Sequence, residues 1–180
     1  MSWAQVKAQL KTLEKDELIR LLHDLHDLNR GNQVFLWARL VAAPEDKATP
    51  YRDVICQAYF PGRGTATLDF KAARKAISTF KKLDAGIEAE IDLLLFCAEM
   101  GIACAQQYPD IGSSLYNSIY DAYLDAARAL QTVDDPSVTV ALRPRFAKIC
   151  EGIGDAGYGL YENLMDILLN YVQIDEDYET

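Results

Sequence analysis

The sequence predicts an all-α fold, a single-domain antiparallel bundle or short stack of helix pairs with about seven or eight helices. Three observations carry that reading. Residues 84–107, D-A-G-I-E-A-E-I-D-L-L-L-F-C-A-E-M-G-I-A-C-A-Q-Q, form a helical stretch with apolar side chains on nearly every side, and a helix without a wide polar face is buried by its neighbours. Elsewhere, apolar residues recur at three and four positions between residues that start and stop helices. Sustained two-residue alternation bounded by turns is missing, and S-V-T-V-A-L at 137–142 is the only rival for a strand.

The first stretch is the central post. Its 24 residues span roughly 36 Å at about 1.5 Å per residue, the length of a small domain. Asp92 and Glu99 interrupt an apolar run already shorter than a bilayer requires, so the post is no membrane span.

Taken in order, Ser2 caps a short helix carrying Trp3, Val6 and Leu10. Leu18, Leu21, Leu22, Leu25 and Leu28 then make one stripe, expected to face inward, that ends at Asn29, Arg30 and Gly31. Asn32 is expected to cap the next helix, with Val34, Phe35, Trp37 and Leu40, stopped by Pro44. Thr49 and Pro50 open a helix through Ile55 and Tyr59 that stops at Pro61 and Gly62. After the loop P-G-R-G-T-A-T, Asp69 caps a helix with Phe70, Ala73, Ile77 and Phe80 on one face and Lys71, Arg74, Lys75, Lys81 and Lys82 on the rest. Asp84 is expected to cap the post, and Tyr108, Pro109 and Gly112 to end it, with Ser113 as the next cap. Leu115, Ile119, Ala122, Tyr123, Ala126 and Leu130 mark the following helix, closed by Asp134, Asp135 and Pro136. A further helix covers roughly 138–153, its first turns disturbed by Pro144. Leu160, Leu164, Ile167, Leu168 and Val172 mark the last. The domain is read as residues 1–173, with an acidic tail, I-D-E-D-Y-E-T, at 174–180.

Half of the 180 residues are apolar and a quarter charged, enough for a large core and too few charges for disorder. Cys56, Cys97, Cys104 and Cys150 form no C-x-x-C pair and sit among apolar neighbours, as reduced core thiols do. The first residues, M-S-W-A-Q-V-K, lack the pattern of a secretory signal, and the expected location is cytoplasmic. Net charge is −9, unevenly divided: residues 1–60 hold eight basic and eight acidic groups, 61–83 hold six and one, and 84–180 hold four and eighteen. Such acidity repels phosphate backbones at long range and disfavours nucleic acid as a partner.

Five motifs bear on chemistry. Gly152, Gly154 and Gly157 spell a G-x-G-x-x-G, but R-F-A-K-I-C before them reads as helix, and without a preceding strand the dinucleotide fingerprint loses its mechanism. The only histidines, His23 and His26, stand three apart beside Asp24 and Asp27, a conceivable metal pair set against a solvated helix face. Glu88, Asp92 and Glu99 share one narrow stripe of the post. Buried, these carboxylates suit acid–base or metal chemistry; otherwise they form an acidic seam or pair with Arg or Tyr. The turn after the post and the helix that follows offer Tyr108, Asp110, Tyr116, Asn117, Tyr120, Asp121 and Tyr123, a candidate small-ligand corner, with Tyr116, Tyr120 and Tyr123 in a stripe on one helix face that suits a packed rim or a recognition surface. The basic face at Lys71, Arg74, Lys75, Lys81 and Lys82 is an interaction surface that balances the acidic half of the chain or of a partner copy.

Three stretches, E-L-I-R-L-L-H-D-L-H-D-L-N-R-G-N-Q-V-F-L-W-A-R-L, D-F-K-A-A-R-K-A-I-S-T-F-K-K, and Y-P-D-I-G-S-S-L-Y-N-S-I-Y-D-A-Y with the later G-I-G-D-A-G-Y-G, together resemble a family of small bacterial all-helical proteins known as a domain of unknown function. The resemblance spans roughly 13–168. Where the family pattern has an aromatic residue after G-I-G and a histidine in the next turn, this chain has Asp155 and Tyr161. The resemblance implies a helical fold, argues against a catalytic histidine there and supplies no mechanism.

The resulting expectation is a non-catalytic helical module that binds a protein partner or its own copy, with no cofactor and no membrane. Its rival is a small-ligand, metal-binding or hydrolytic site built from Asp92, Glu99, Asp110, Tyr116 and Asn117. No serine or cysteine has a base at a telling spacing.

Overall fold

Helices account for 82% of the computed structural model and strands for none of the described residues, which are 2–62, 67–108, 112–154 and 159–172. The all-α expectation holds. Nine α-helices lie among those residues, against about seven or eight expected. The chain divides into two compact units, Met1–Ala43 and Pro44–Thr180.

In the first unit, α1 (Trp3–Leu10) starts where the Ser2 hydroxyl accepts from the Ala4 N–H at 3.3 Å. Helix α2 (Lys15–Leu28) opens with a capping box: Glu17 reaches back to accept from the Glu14 N–H at 2.9 Å. Helix α3 (Arg30–Leu40) follows after a single extended residue. That residue, Asn29, is the cap, where Asn32 was expected. Its side chain accepts from the Asn32 N–H at 3.0 Å, and the freed Asn32 amide donates to the Leu25 carbonyl at 2.6 Å, tying α3 to α2.

The second unit begins with a 3-10 turn, Pro44–Asp46, and α4 (Thr49–Tyr59). Thr49 lies inside α4, with Ala48 at the cap position. Helix α5 (Phe70–Phe80) is capped by Asp69 as expected, its carboxylate accepting from the Ala72 N–H at 3.0 Å. Tyr51 packs edge-on against Phe80 and Tyr59 against Phe70, so the start of α4 meets the end of α5 and the pair is antiparallel. A second 3-10 turn, Lys81–Leu83, buries Leu83 and leads to α6 (Ile87–Gln107). The post therefore has 21 residues rather than 24. Asp84 does not cap it: it sits left-handed at φ 55°, a conformation that a short polar side chain tolerates, and Gly86 takes the cap position.

Helix α6 lies against α4, α5, α7 (Ser113–Leu130) and α8 (Pro136–Ile153), which is why its Ile91, Leu93, Leu94 and Leu95 are buried together. Burying one such side chain is worth about 1.5–3 kcal/mol. The closest approach is to α7, where a Cβ added to Gly101 would stand 2.4 Å from Ile119 Cγ1. Because Ile119 is fully buried, it has no room to yield. Gly112, not Ser113, occupies the cap position of α7.

Helix α8 starts earlier than expected, with Asp135 accepting from the Ser137 N–H at 2.8 Å and Pro136 in the first turn. S-V-T-V-A-L is helical, since it completes those first turns. Pro144 is carried inside the helix and deprives the Val140 carbonyl of its N–H donor, at a position where Val140 is exposed. Helix α9 (Leu160–Ile167) and a π-helical turn, Leu168–Val172, pack on α7 and α8. The residues of the acidic tail lie outside the described ones. None of the helices is long and apolar enough to cross a membrane, among the described residues.

Candidate functional site

The two carboxylates singled out on the post are brought together by an arginine. Positions 92, 96 and 99 are four and three residues apart on α6, so their side chains emerge from one face. Arg145 of α8 reaches that face with its fork. Its Nε donates to Glu99 Oε1 at 2.6 Å and Nη2 to Glu99 Oε2 at 2.9 Å, while Nη1 donates to Asp92 Oδ1 at 2.7 Å. The other oxygen of Asp92 accepts from Arg52 of α4. Arg52 also lies over the Phe96 ring, its guanidinium carbon 4.6 Å from the centroid, a cation–π contact. Two arginines and two carboxylates thus join three helices into a locally neutral, half-buried network.

Its electrostatics favour the ion pairs. Burial alone lowers the pKa of Arg145, but hydrogen bonds to Glu99 and Asp92, and their negative charges, outweigh it and hold the guanidinium above its ordinary value. Both oxygens of each carboxylate accept from an arginine, which stabilises the charged form and makes each a weaker base. Glu88 of the same stripe is exposed at the start of α6.

The remaining members of the proposed ligand site do not converge on this network. Tyr116 is buried on α7, and Asn117, the next residue, is exposed on another side of the same helix. Asp110 lies outside the described residues. The tyrosine stripe points into the core: Tyr123 donates to the Phe146 carbonyl at 3.3 Å and lies 3.1 Å from Cys150 Sγ. From α4, the Tyr59 hydroxyl lies 2.7 Å from Ser118 Oγ and 3.5 Å from Cys97 Sγ. Burial raises the pKa of both tyrosines and of all four thiols, that of Cys97 to about 11, so these groups are neutral near pH 7. All four cysteines are free thiols. The Tyr51 hydroxyl is buried with no hydrogen-bond partner among the described residues.

His23 and His26 are exposed and share one neighbour, Asp27, whose oxygens lie 3.5 Å and 2.9 Å from their Nδ1 atoms. A hydrogen bond from His26 foremost lowers the pKa of Asp27; burial opposes it, and the charges of both histidines add to the lowering. No group of three or more His, Cys, Asp or Glu is placed to hold a metal ion, among the described residues.

All five members of the basic face are exposed. Arg74 pairs with Asp121 of α7, and Lys81 with Glu90 of α6 at 2.7 Å, so part of the face is neutralised within the chain. Two surface cavities are lined by described residues. One, of about 360 Å³, lies where Leu130 and Val133 face Tyr171 and Val172; the other, of about 240 Å³, lies where Lys81 faces the start of α6. Neither is lined by Asp92, Glu99, Tyr116 or Asn117. At the glycine cluster, Gly152 lies within α8 and Gly154 ends it, with helix rather than strand before them. Gly157 lies outside the described residues.

Sequence reasoning named the carboxylates and missed Arg52 and Arg145. A signal existed: residues 84–180 hold only four basic groups, Arg128, Arg143, Arg145 and Lys148, so carboxylates drawn into the core had few partners there.

It also missed that the leucine stripe of α2 lies open. No residue of α1 or α2 is buried. Leu21, Leu22 and Leu25 are 38–45% exposed and Leu28 71%, and Trp3, Ile19, Trp37 and Leu40 of the same unit are exposed as well. The stripe was expected to turn inward, but α3 covers it only in part. Comparison of the chain with protein-family models, with curated proteins and with solved structures gives no match.

Proposed function

We propose that the protein is a non-catalytic, cytosolic helical interaction module whose first unit docks an apolar helical surface of another polypeptide. One observation carries this reading: α2 presents Leu21, Leu22, Leu25 and Leu28 on one face while burying none of its residues. Isolated exposed leucines are ordinary, but a contiguous apolar patch is a feature of interaction surfaces. The four free thiols favour a reducing compartment, and hence the cytosol. The resemblance to small bacterial helical proteins fits this reading and adds no chemistry to it.

The rival, a ligand or hydrolytic site around Asp92 and Glu99, is weakened by the arginines that occupy both carboxylates. The test is cross-linking of the chain in its native extract, followed by identification of what it captures. Capture is expected to fall at least tenfold in Leu22→Asp with Leu25→Asp, and to persist when Lys71, Lys75 and Lys82 are replaced by Ser. Capture that ignores the leucines and follows the lysines would contradict the proposal.

A further inference from the structure

We infer that the leucine face of α2 is covered by the same face of a second copy of this chain, the two α2 helices running parallel. The inference rests on the docking reading above and names its occupant. Leu18, Leu21, Leu25 and Leu28 recur at three, four and three residues, the seven-residue repeat with which two helices mesh along a seam, and Leu22 widens it. The first unit has 43 residues, close to the size below which a domain needs disulfides, a metal or association to stay folded. It contains no cysteine, and no metal-holding cluster lies among its described residues. In α3 only Ala38 is buried, so its helices have almost no core of their own. A second copy laid over the leucine face supplies the apolar contact those helices lack.

Net charge does not oppose this partner. The first unit carries six Lys or Arg and five Asp or Glu, net +1, so two copies of it meet without repulsion. The edges of the seam also fix the direction. At about 100° per residue, Lys15 flanks the leucines on one edge, and Glu17 and Asp24 on the other, with Arg20 further round that side. A parallel pair related by a two-fold axis sets the Glu17 edge of each helix against the Lys15 edge of its copy, Lys15 within one turn of the copy's Glu17. An antiparallel pair sets like edges together, which costs stability.

Sedimentation of the full chain over a wide concentration range tests the pairing. The mass is expected to rise from 20.1 kDa towards twice that value, and to stay at the monomer value in Leu22→Asp with Leu25→Asp while the helical circular dichroism is retained. Leu28→Cys, at an exposed position, is expected to give a covalent dimer with a short bismaleimide, which the native cysteines alone do not give. A dimer that survives the two leucine changes, or one in which Leu28→Cys fails to cross-link, overturns the parallel pairing. A chain that stays monomeric at every concentration also overturns it, and an apolar fluorescent dye then separates this proposal from the docking reading. Dye bound by the native chain and lost in the leucine variant leaves the docking face in place with another occupant; no dye bound removes the face as well.

Discussion

Leucines do opposite things in α2 and α6. In α6, Leu93, Leu94 and Leu95 are buried because four other helices of the second unit surround the post. In α2, the equally regular Leu21, Leu22, Leu25 and Leu28 stay 38–71% exposed, and α3, which packs on α2, buries only its own Ala38. Helical periodicity says that an apolar face exists, and the number of neighbouring helices decides whether it is covered. The second unit is held by its own core, and the first presents a face that calls for a partner.

The largest effect that could break this comparison comes from truncating one leucine in each unit. Leu94→Ala is expected to cost about 2–5 kcal/mol of unfolding free energy, the range for a fully buried leucine, and Leu25→Ala less than about 1 kcal/mol, since much of that side chain already meets water. Urea denaturation of dilute samples measures both; equal losses would mean that α2 is as enclosed as α6.

Next comes the arginine network that joins the post to α4 and α8. Arg145→Ala leaves Glu99 without its fork and Asp92 with Arg52 alone, at an expected cost of about 1–3 kcal/mol. Exposed ion pairs are worth only roughly 0–1 kcal/mol; the forked geometry and partial burial raise this one above them. Arg74→Ala, which breaks an exposed pair with Asp121, is expected to fall in that lower range. Thermal melts of the two variants side by side check the order.

A smaller effect has the opposite sign. The Tyr51 hydroxyl is buried without a partner among the described residues, so Tyr51→Phe is expected to leave stability unchanged or to raise it by up to about 1–2 kcal/mol, because a desolvated group is removed and no bond is lost. A clear loss in the denaturation midpoint would show that the hydroxyl has a partner.

The smallest effect is on pH dependence. Hydrogen bonds with Ser137, side chain first and then backbone, lower the pKa of Asp135 below 3.8, the slight effect of burial opposing them. A depressed carboxylate pKa contributes stability above the unfolded value, and that contribution is lost as pH falls through the folded value. The cap of α8 should therefore be intact above about pH 4 and weaken below it. In Asp135→Asn, whose amide also caps but does not titrate, the acid limb of the stability curve should be shallower.

The helices were legible because the residues that start and stop them act over a few positions. Asp69 before F-K-A-A-R-K and Asp135 before Pro136 bind the N–H groups of the next turn whatever lies beyond. Caps were misread where two candidates competed: Asn29 and Asn32 are both cap residues, and only geometry gives one the cap and the other the Leu25 carbonyl. Asp84 was misread because a 3-10 turn took up Lys81–Leu83 and left it in a left-handed conformation. The site was half legible. The spacing of Asp92 and Glu99 is local and readable, whereas Arg52 and Arg145 lie 40 and 53 residues from Asp92 and arrive through packing. The exposure of the α2 stripe was not legible at all, since it depends on which helices fail to reach it.

The most direct measurement is amide hydrogen exchange of the full chain, following α2 and α6 at high dilution and at high concentration. Amides in the core of α6 should exchange slowly and independently of concentration. Those of α2 should exchange orders of magnitude faster when dilute and slow down as the chain is concentrated and its leucine face is covered. Protection of α2 equal to that of α6 at every concentration would contradict the account, because it would mean that the leucine face is already enclosed within a single chain.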